Sequence, residues 1–233
     1  MHIICDISTK NIESYINNNA DGFILSLKNY SIGTNNYFTL DEIKEIVNKY
    51  DKEFFININR NMLNTDIKEL ENILIELSKL NIKGIIYYDL AVLQIKIKNK
   101  LNINLVWNQE HMTTNYNTCN YYNDKGVKYV ILSNEITKEE ILEINKKSNI
   151  IPMIYIFGKN NVAHSKRKLV NNFYENFNLE KKPSLTIHEK ISDQKYILNE
   201  NKDGTTFILD EIINNTEIIE ELSNNNFEYI IFN

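Results

Sequence analysis

The feature that most constrains this chain is an alternation of short β-branched runs with amphipathic helical stretches, repeated along almost all of its 233 residues. The first strand is read at 3–6, with later strands at 22–27, 54–59, 84–89, 103–110, 129–134 and 150–157. Helices are expected at 11–19, 39–50, 66–80, from Leu90 onward, at 116–124 and at 138–147. Thr39 with Glu42, and Thr137 with Glu140, have the spacing of a capping box, which satisfies two of the orphan donors at a helix start. Strand-helix-strand repetition demands parallel neighbours, because only crossover connections return the chain to the same edge of a strand.

Beyond Lys159 the rhythm changes. A helix at 168–176 is followed by extended runs at 184–192 and 195–210, the second broken by Asp203-Gly204, a strong hairpin signal. A helix at 215–224 and a final strand at 227–232 close the chain. About eight parallel strands in a length near that of a closed barrel predict a (β/α)8 TIM-barrel-like α/β fold. It is read as a single domain over 1–233, with a β-hairpin insertion at about 184–210 before the last strand. That strand is expected to lie between the first and the seventh. An open doubly wound sheet is the alternative, but no Gly-rich phosphate loop follows an early strand.

Composition narrows the function. The formal charge is -5, which argues against a protein that grips nucleic acid over its whole surface but leaves room for a local basic pocket. Two cysteines, Cys5 and Cys119, are too few and too far apart for a disulfide framework, so a reducing, cytoplasmic setting is expected. No apolar run reaches the roughly 20 residues of a membrane span. His2, His111, His164 and His188 lack metal-ligand spacing, so no metal site is expected. Neither a Gly-x-Ser-x-Gly elbow nor a His-Glu-x-x-His helix is present.

In such barrels the chemistry sits where strands end. Alternation puts His2, Ile4 and Asp6 on one face of the first strand, and Phe55, Asn57 and Asn59 on one face of the third. It groups Ile85, Tyr87 and Asp89 on the fourth, and Val106, Asn108 and Glu110 on the fifth. If those faces point inward, Asp6, Asn57, Asn59, Asp89 and Glu110 converge on one mouth, joined by Ser133 or Asn134. Clustered carboxylates there would raise a pKa and make an acid/base pair, for which Glu110 and Asp89 are the catalytic candidates. The competing reading is that Asp89 caps the helix at Leu90. The dense basic run His164-Ser165-Lys166-Arg167-Lys168 is either an exposed helix start or an anion site, with Arg167 the best fork for a carboxylate or phosphate.

Several strings taken together resemble the collagenase-like peptidase family U32. They are Leu27-Lys28-Asn29-Tyr30-Ser31, Tyr37-Phe38-Thr39-Leu40-Asp41-Glu42-Ile43, Ile56-Asn57-Ile58-Asn59-Arg60, Gly84-Ile85-Ile86-Tyr87-Tyr88-Asp89-Leu90, and Asn108-Gln109-Glu110 through Thr114-Asn115. Gly126-Val127-Lys128-Tyr129 and the run from Glu135 to Ile141 continue the series. The family motif H-G-A-L-C-V-S-Y-S-G-R-C aligns with 157–168, where Gly158, Val162, Ser165 and Arg167 are retained. Phe157 replaces its histidine, and Asn161 and Lys168 replace its cysteines.

The resemblance implies a barrel-like domain and two activities: peptidase action on collagen-like substrates, or oxygen-independent hydroxylation of RNA pyrimidines or of a small anionic metabolite such as a quinone precursor, with prephenate implicated as oxygen source. It adds Asn115, Ser165 and Arg167 to Asp6, Asn57 and Asn59 as substrate-binding candidates. It also implies a small anionic ligand or RNA in a local pocket, and a full-length relative as partner for a non-catalytic subunit. Relatives that hold an iron-sulfur cluster use the motif cysteines as ligands. With those replaced, no iron-sulfur cluster and no other cofactor is expected, prephenate entering as a co-substrate.

Overall fold

The computed structural model describes every residue of the chain except 8, 18, 35 and 183. Seven parallel strands come first: β1 (His2–Asp6), β2 (Gly22–Ser26), β3 (Glu53–Ile58), β4 (Gly84–Tyr87), β5 (Leu105–Trp107), β6 (Tyr129–Ile131) and β7 (Ile151–Gly158). Helices α1 (Ile12–Ile16), α2 (Leu40–Lys49), α3 (Ile67–Leu77), α4 (Leu90–Asn99), α5 (Tyr116–Asp124) and α6 (Lys138–Lys147) fill the crossovers. After β7 come β8 (Asn161–Ser165), α7 (Leu169–Asn176), β9 (Ser184–His188), β10 (Lys195–Asn201), β11 (Gly204–Leu209) and β12 (Ile213–Asn214). A 3-10 turn (Thr216–Ile218), α8 (Ile219–Asn224) and β13 (Tyr229–Phe232) end the chain.

The larger of two compact units is Met1–Ile156 with Thr216–Asn233. In it β13 lies between β7 and β1, and β6 pairs with β7, so eight parallel strands close on themselves. The expected (β/α)8 barrel is therefore the fold, with the final strand in its expected place. Among the described residues no helix is long and apolar enough to cross a membrane.

Both capping boxes form. Thr39 Oγ1 accepts the Glu42 N–H at 3.2 Å while Glu42 Oε2 accepts the Thr39 N–H at 2.7 Å, and Thr137 and Glu140 repeat the pattern. The barrel interior is filled by Ile4, Ile24, Phe55, Ile86, Val106, Tyr129, Ile131, Met153, Tyr229 and Ile231. Phe55, Tyr129 and Tyr229 meet edge to face, with centroids 5.6 to 6.1 Å apart. A second, larger layer joins the outward strand faces to the helices, through residues such as Ile43, Leu70, Leu74, Ile85, Tyr87 and Ile141. Gly22 is required by the close approach of β2 to β3, since a Cβ there would stand 2.4 Å from the Glu53 carbonyl oxygen.

The face expected for β4 is corrected here. Ile86 points into the barrel, whereas Ile85 and Tyr87 point out to the helices. Gly84 shares the inward face with Ile86, its missing Cβ lying against Val106 and Phe55. A strand buried on both sides is apolar on both, so its alternation cannot say which face is inside. β5 and β6 are also shorter than expected, ending at Trp107 and Ile131, before the polar residues that were read as their ends.

The smaller unit is Phe157–Asn215. Its antiparallel sheet has the order β8-β11-β10-β9, and the hairpin at Asp203-Gly204 joins β10 to β11 as expected. α7 covers the sheet through Val170 and Tyr174, which pack with Leu198 of β10. Of the basic run, His164 and Ser165 end strand β8, a strand that the sequence does not signal, while Lys168 is the N-cap of α7, within one residue of the helix expected at 168–176.

Phe55→Ala should cost about 3–5 kcal/mol, the usual range for an emptied aromatic core site. Thr137→Ala should cost about 1 kcal/mol for the lost cap. Urea denaturation of both variants against the parent checks the ordering.

Candidate functional site

The inward faces carry polar residues where the strands run out at the C-terminal end of the barrel. Asp6 ends β1 on the face of buried Ile4, and Tyr155 lies two residues beyond inward Met153 on β7. Glu110 follows β5. Each of the three keeps part of its surface exposed. Burial pushes the Asp6 carboxyl up to about 7, opposed only in part by the Ile7 N–H. Burial also raises Glu110, against the opposing charge of His111. The Tyr155 phenol is driven upward by burial first and then by the charges of Asp6 and Glu110, so both acids lie within electrostatic reach of it. Near neutral pH this cluster can both hold and release a proton.

Glu110 is held in a demanding conformation. Its φ is 47°, a left-handed value that costs a non-glycine residue about 1–2 kcal/mol. The Asn108 side chain supports it by accepting the Glu110 N–H at 3.1 Å, and Asn108 is itself buried. Strain of this kind is kept where a side chain must be aimed. On the opposite strands, Asn57 Nδ2 donates to Ser26 Oγ at 3.2 Å, while its Oδ1 is buried with no hydrogen-bond partner among the described residues. Thr113 Oγ1 is in the same condition, and the Thr113 carbonyl accepts the Ser133 N–H at 3.0 Å. Ser133 Oγ accepts the Glu135 N–H at 3.2 Å. Buried polar atoms left without partners are what a polar ligand would satisfy.

Other expected residues are occupied by the backbone. Asp89 caps α4 by accepting the Ala91 N–H at 2.9 Å, and its second oxygen accepts the Met62 N–H at 2.8 Å. Asn59 exchanges two hydrogen bonds with Ile32, at 2.9 and 3.2 Å, and fixes the loop after β2. Asn115 caps α5 through the Thr118 N–H at 2.9 Å. Ser165 and Arg167 belong to the smaller unit, where Ser165 Oγ accepts the Arg167 N–H at 3.2 Å and Arg167 is exposed. Of the expected set, the structure thus brings Asp6 and Glu110 together, with Asn57 on the same inner face. Tyr155 was missed, although strict alternation from Met153 marks it.

The residues do not suit an iron-sulfur cluster. Asn161 begins β8 and Lys168 precedes α7, whereas Cys5 lies in β1 and Cys119 is buried in α5. Burial pushes the Cys119 thiol up to about 12 and also raises Cys5, so neither is poised as the thiolate that a cluster requires.

The class that the structure defines is a closed parallel (β/α)8 barrel with acids at the C-terminal ends of its strands. The model of Peptidase family U32 matches residues 7–226, and the chain belongs to that family. It is 27% identical over 230 residues to tRNA hydroxylation protein P2 of Bacillus subtilis (strain 168), covering 94% of this chain and 74% of that protein. tRNA hydroxylation protein P1 of the same organism is 26% identical over 157 residues, which is 66% of this chain and 37% of that protein. Among solved structures, the U32 peptidase Mk0906 superposes with a TM-score of 0.62 at 13% identity, covering 100% of this chain and 92% of that one. At that identity the likeness concerns the fold.

The raised Asp6 carboxyl has a definite consequence for stability. The folded chain binds its proton more tightly than the unfolded chain, so this contribution is present at low pH and is lost as pH rises from about 4 towards and beyond 7. Asp6→Asn should therefore match the parent near pH 4 and exceed it in stability near pH 8, as read from urea midpoints. Protein purified without oxygen should also be colourless; stoichiometric iron and sulfide with a visible absorption band would contradict the ligand argument.

Proposed function

We propose that this chain acts, or assists a larger family relative, in hydroxylation of pyrimidines in tRNA. The observation that carries the reading is the match to tRNA hydroxylation protein P2 along 94% of the chain. The mouth supports it with chemistry of the right kind. Exchanging C–H for C–OH on a base releases the ring proton together with two electrons that a co-reactant must take up, and it needs groups that hold and move that proton at a planar polar ligand. Asp6 and Glu110 beside Tyr155 supply them, and Asn57 and Thr113 offer unpaired polar atoms for orientation. In this reading Glu110 is the acid/base residue and Asp6 its neighbour in charge. Hydroxylation is a two-electron oxidation, so it also needs an oxygen source and an electron acceptor; the prephenate implied by the family resemblance is proposed as the oxygen source, with a two-electron oxidant as a further co-reactant. Asp89, bound to two backbone N–H groups, keeps a positioning role at the start of α4.

The second reading is the peptidase that gives the family its name, with Glu110 again the acid. Profiling modified nucleosides in tRNA by mass spectrometry separates the two. A strain lacking the protein should lose a hydroxylated pyrimidine, the parent gene should restore it, and Glu110→Gln should restore it at a rate lower by about 100-fold or more, the usual weight of a general acid/base. An unchanged nucleoside profile, with gelatin cleavage that disappears in Glu110→Gln, would establish the peptidase instead.

A further inference from the structure

The two units differ in charge. Residues 157–215 hold 9 lysines and arginines against 8 aspartates and glutamates, while the rest of the chain holds 17 against 23. The dense basic run forms the corner between β8 and α7, with Lys166 and Arg167 exposed. The backbone under them is tightly held. Thr205 is fully buried; its Oγ1 accepts the Leu169 N–H at 3.0 Å and lies 2.9 Å from both the Arg167 carbonyl and Glu200 Oε2, donating to one at a time. Glu200 Oε2 also accepts the Val170 N–H at 2.9 Å, and Lys168 Nζ donates to the Asn201 carbonyl. At Gly204, with φ 133°, a Cβ would stand 2.1 Å from the Ser165 carbonyl oxygen, so the β10–β11 turn is packed against the end of β8.

A corner fixed in this way has little backbone freedom left to lose on binding, so the ordering cost falls on the Lys166 and Arg167 side chains alone. Along α7 the exposed rings of Phe173 and Phe177 pack with centroids 5.1 Å apart, and exposed Lys181 and Lys182 follow. Glu175, on the same helix, accepts a hydrogen bond from Asn171 Nδ2 at 2.5 Å. Cations flanking exposed aromatic rings form the pattern that takes a nucleic-acid strand, phosphates on the charges and bases on the rings.

Resting on the reading of the chain as a tRNA-modifying protein, we infer that the smaller unit binds RNA through the β8–α7 corner and the exposed rings of α7 and its C-terminal end. Lys166 and Arg167 meet backbone phosphates, and Phe173 and Phe177 stack on unpaired bases. The acids of the barrel mouth repel phosphate, so the polyanion is held by the unit in which cations are not outnumbered by acids. Each phosphate neutralised releases condensed counterions, which gives the proposal a salt signature.

The test is fluorescence anisotropy of the full chain with labelled, in vitro transcribed tRNA and a labelled uridine 20-mer, between 50 and 200 mM salt. The double variant Lys166→Ala, Arg167→Ala should weaken tRNA binding by about 10-fold or more at low salt and flatten the log–log salt slope by about 1.5 to 2. Phe173→Leu with Phe177→Leu should leave the slope unchanged and weaken 20-mer binding by about 10-fold. Lys68→Ala with Lys125→Ala, on the larger unit, should change neither. All these side chains are exposed, and urea midpoints of the variants confirm that each is folded. If the parent binds tRNA and the Lys166, Arg167 variant binds with the same affinity and slope, the inference is overturned while the tRNA reading stands. A parent that binds neither RNA also overturns it, and the nucleoside profile of the deletion strain then decides the tRNA reading without reference to this surface.

Discussion

Closure of the barrel by its own chain ends is the constraint on which the rest depends. Tyr229 to Phe232 pair in parallel with His2 to Cys5, so the last strand of the chain removes the free edges that β1 and β7 would otherwise expose. Around this seam, the His2 ring stacks on Tyr229 at 4.8 Å, and Lys83 is ion-paired with Glu53 while its ammonium lies 5.7 Å from the Tyr229 ring centre. Tyr229 in turn meets Phe55 and Tyr129 inside. A seam between residues more than two hundred positions apart is costly in loop entropy. The interior aromatic layer offsets part of that cost.

The same closure creates the electrostatics of the mouth. Eight strands leave an interior just wide enough to fill with side chains. Polar residues on the inward face therefore emerge above a dry layer of Ile4, Phe55, Val106 and Met153. Carboxyls placed there lose hydration, and among the described residues neither Asp6 nor Glu110 is ion-paired with a lysine or arginine. Desolvation thus wins over charge compensation: it pushes Asp6 up to about 7 and raises Glu110 above the ordinary carboxylate range. Cations that would have quenched this effect are concentrated in the inserted sequence instead. The result is a division of chemical character between two stretches of one chain, proton-active acids in the barrel and exposed cations in the insertion.

Much of this was legible in the residues. The capping boxes at Thr39 and Thr137, the α5 and α6 boundaries, the hairpin at Asp203-Gly204 and the place of the last strand all follow from local signals, and local signals survive in the folded chain because capping and turn chemistry involve neighbours a few positions apart. Asp6 was legible as an inward strand end because Ile4 and Asp6 share a parity. β8 was not, because Asn161 to Ser165 lacks the apolar alternation of a core strand and pairs along an exposed sheet, so its strand state is imposed by β11 rather than by its own side chains.

By itself, the sequence determined the order and type of the main elements, the closed parallel barrel and membership of a family through spaced strings, since these rest on periodicity and short-range chemistry. Tertiary structure decided which face of β4 looks inward, that Asp89, Asn59 and Asn115 are spent on backbone N–H or carbonyl groups, and that the Tyr155 phenol is buried within reach of the charges of Asp6 and Glu110. Those outcomes depend on register across the barrel and on the loss of water around particular carboxyls. Both arise only when strands distant in sequence are brought side by side.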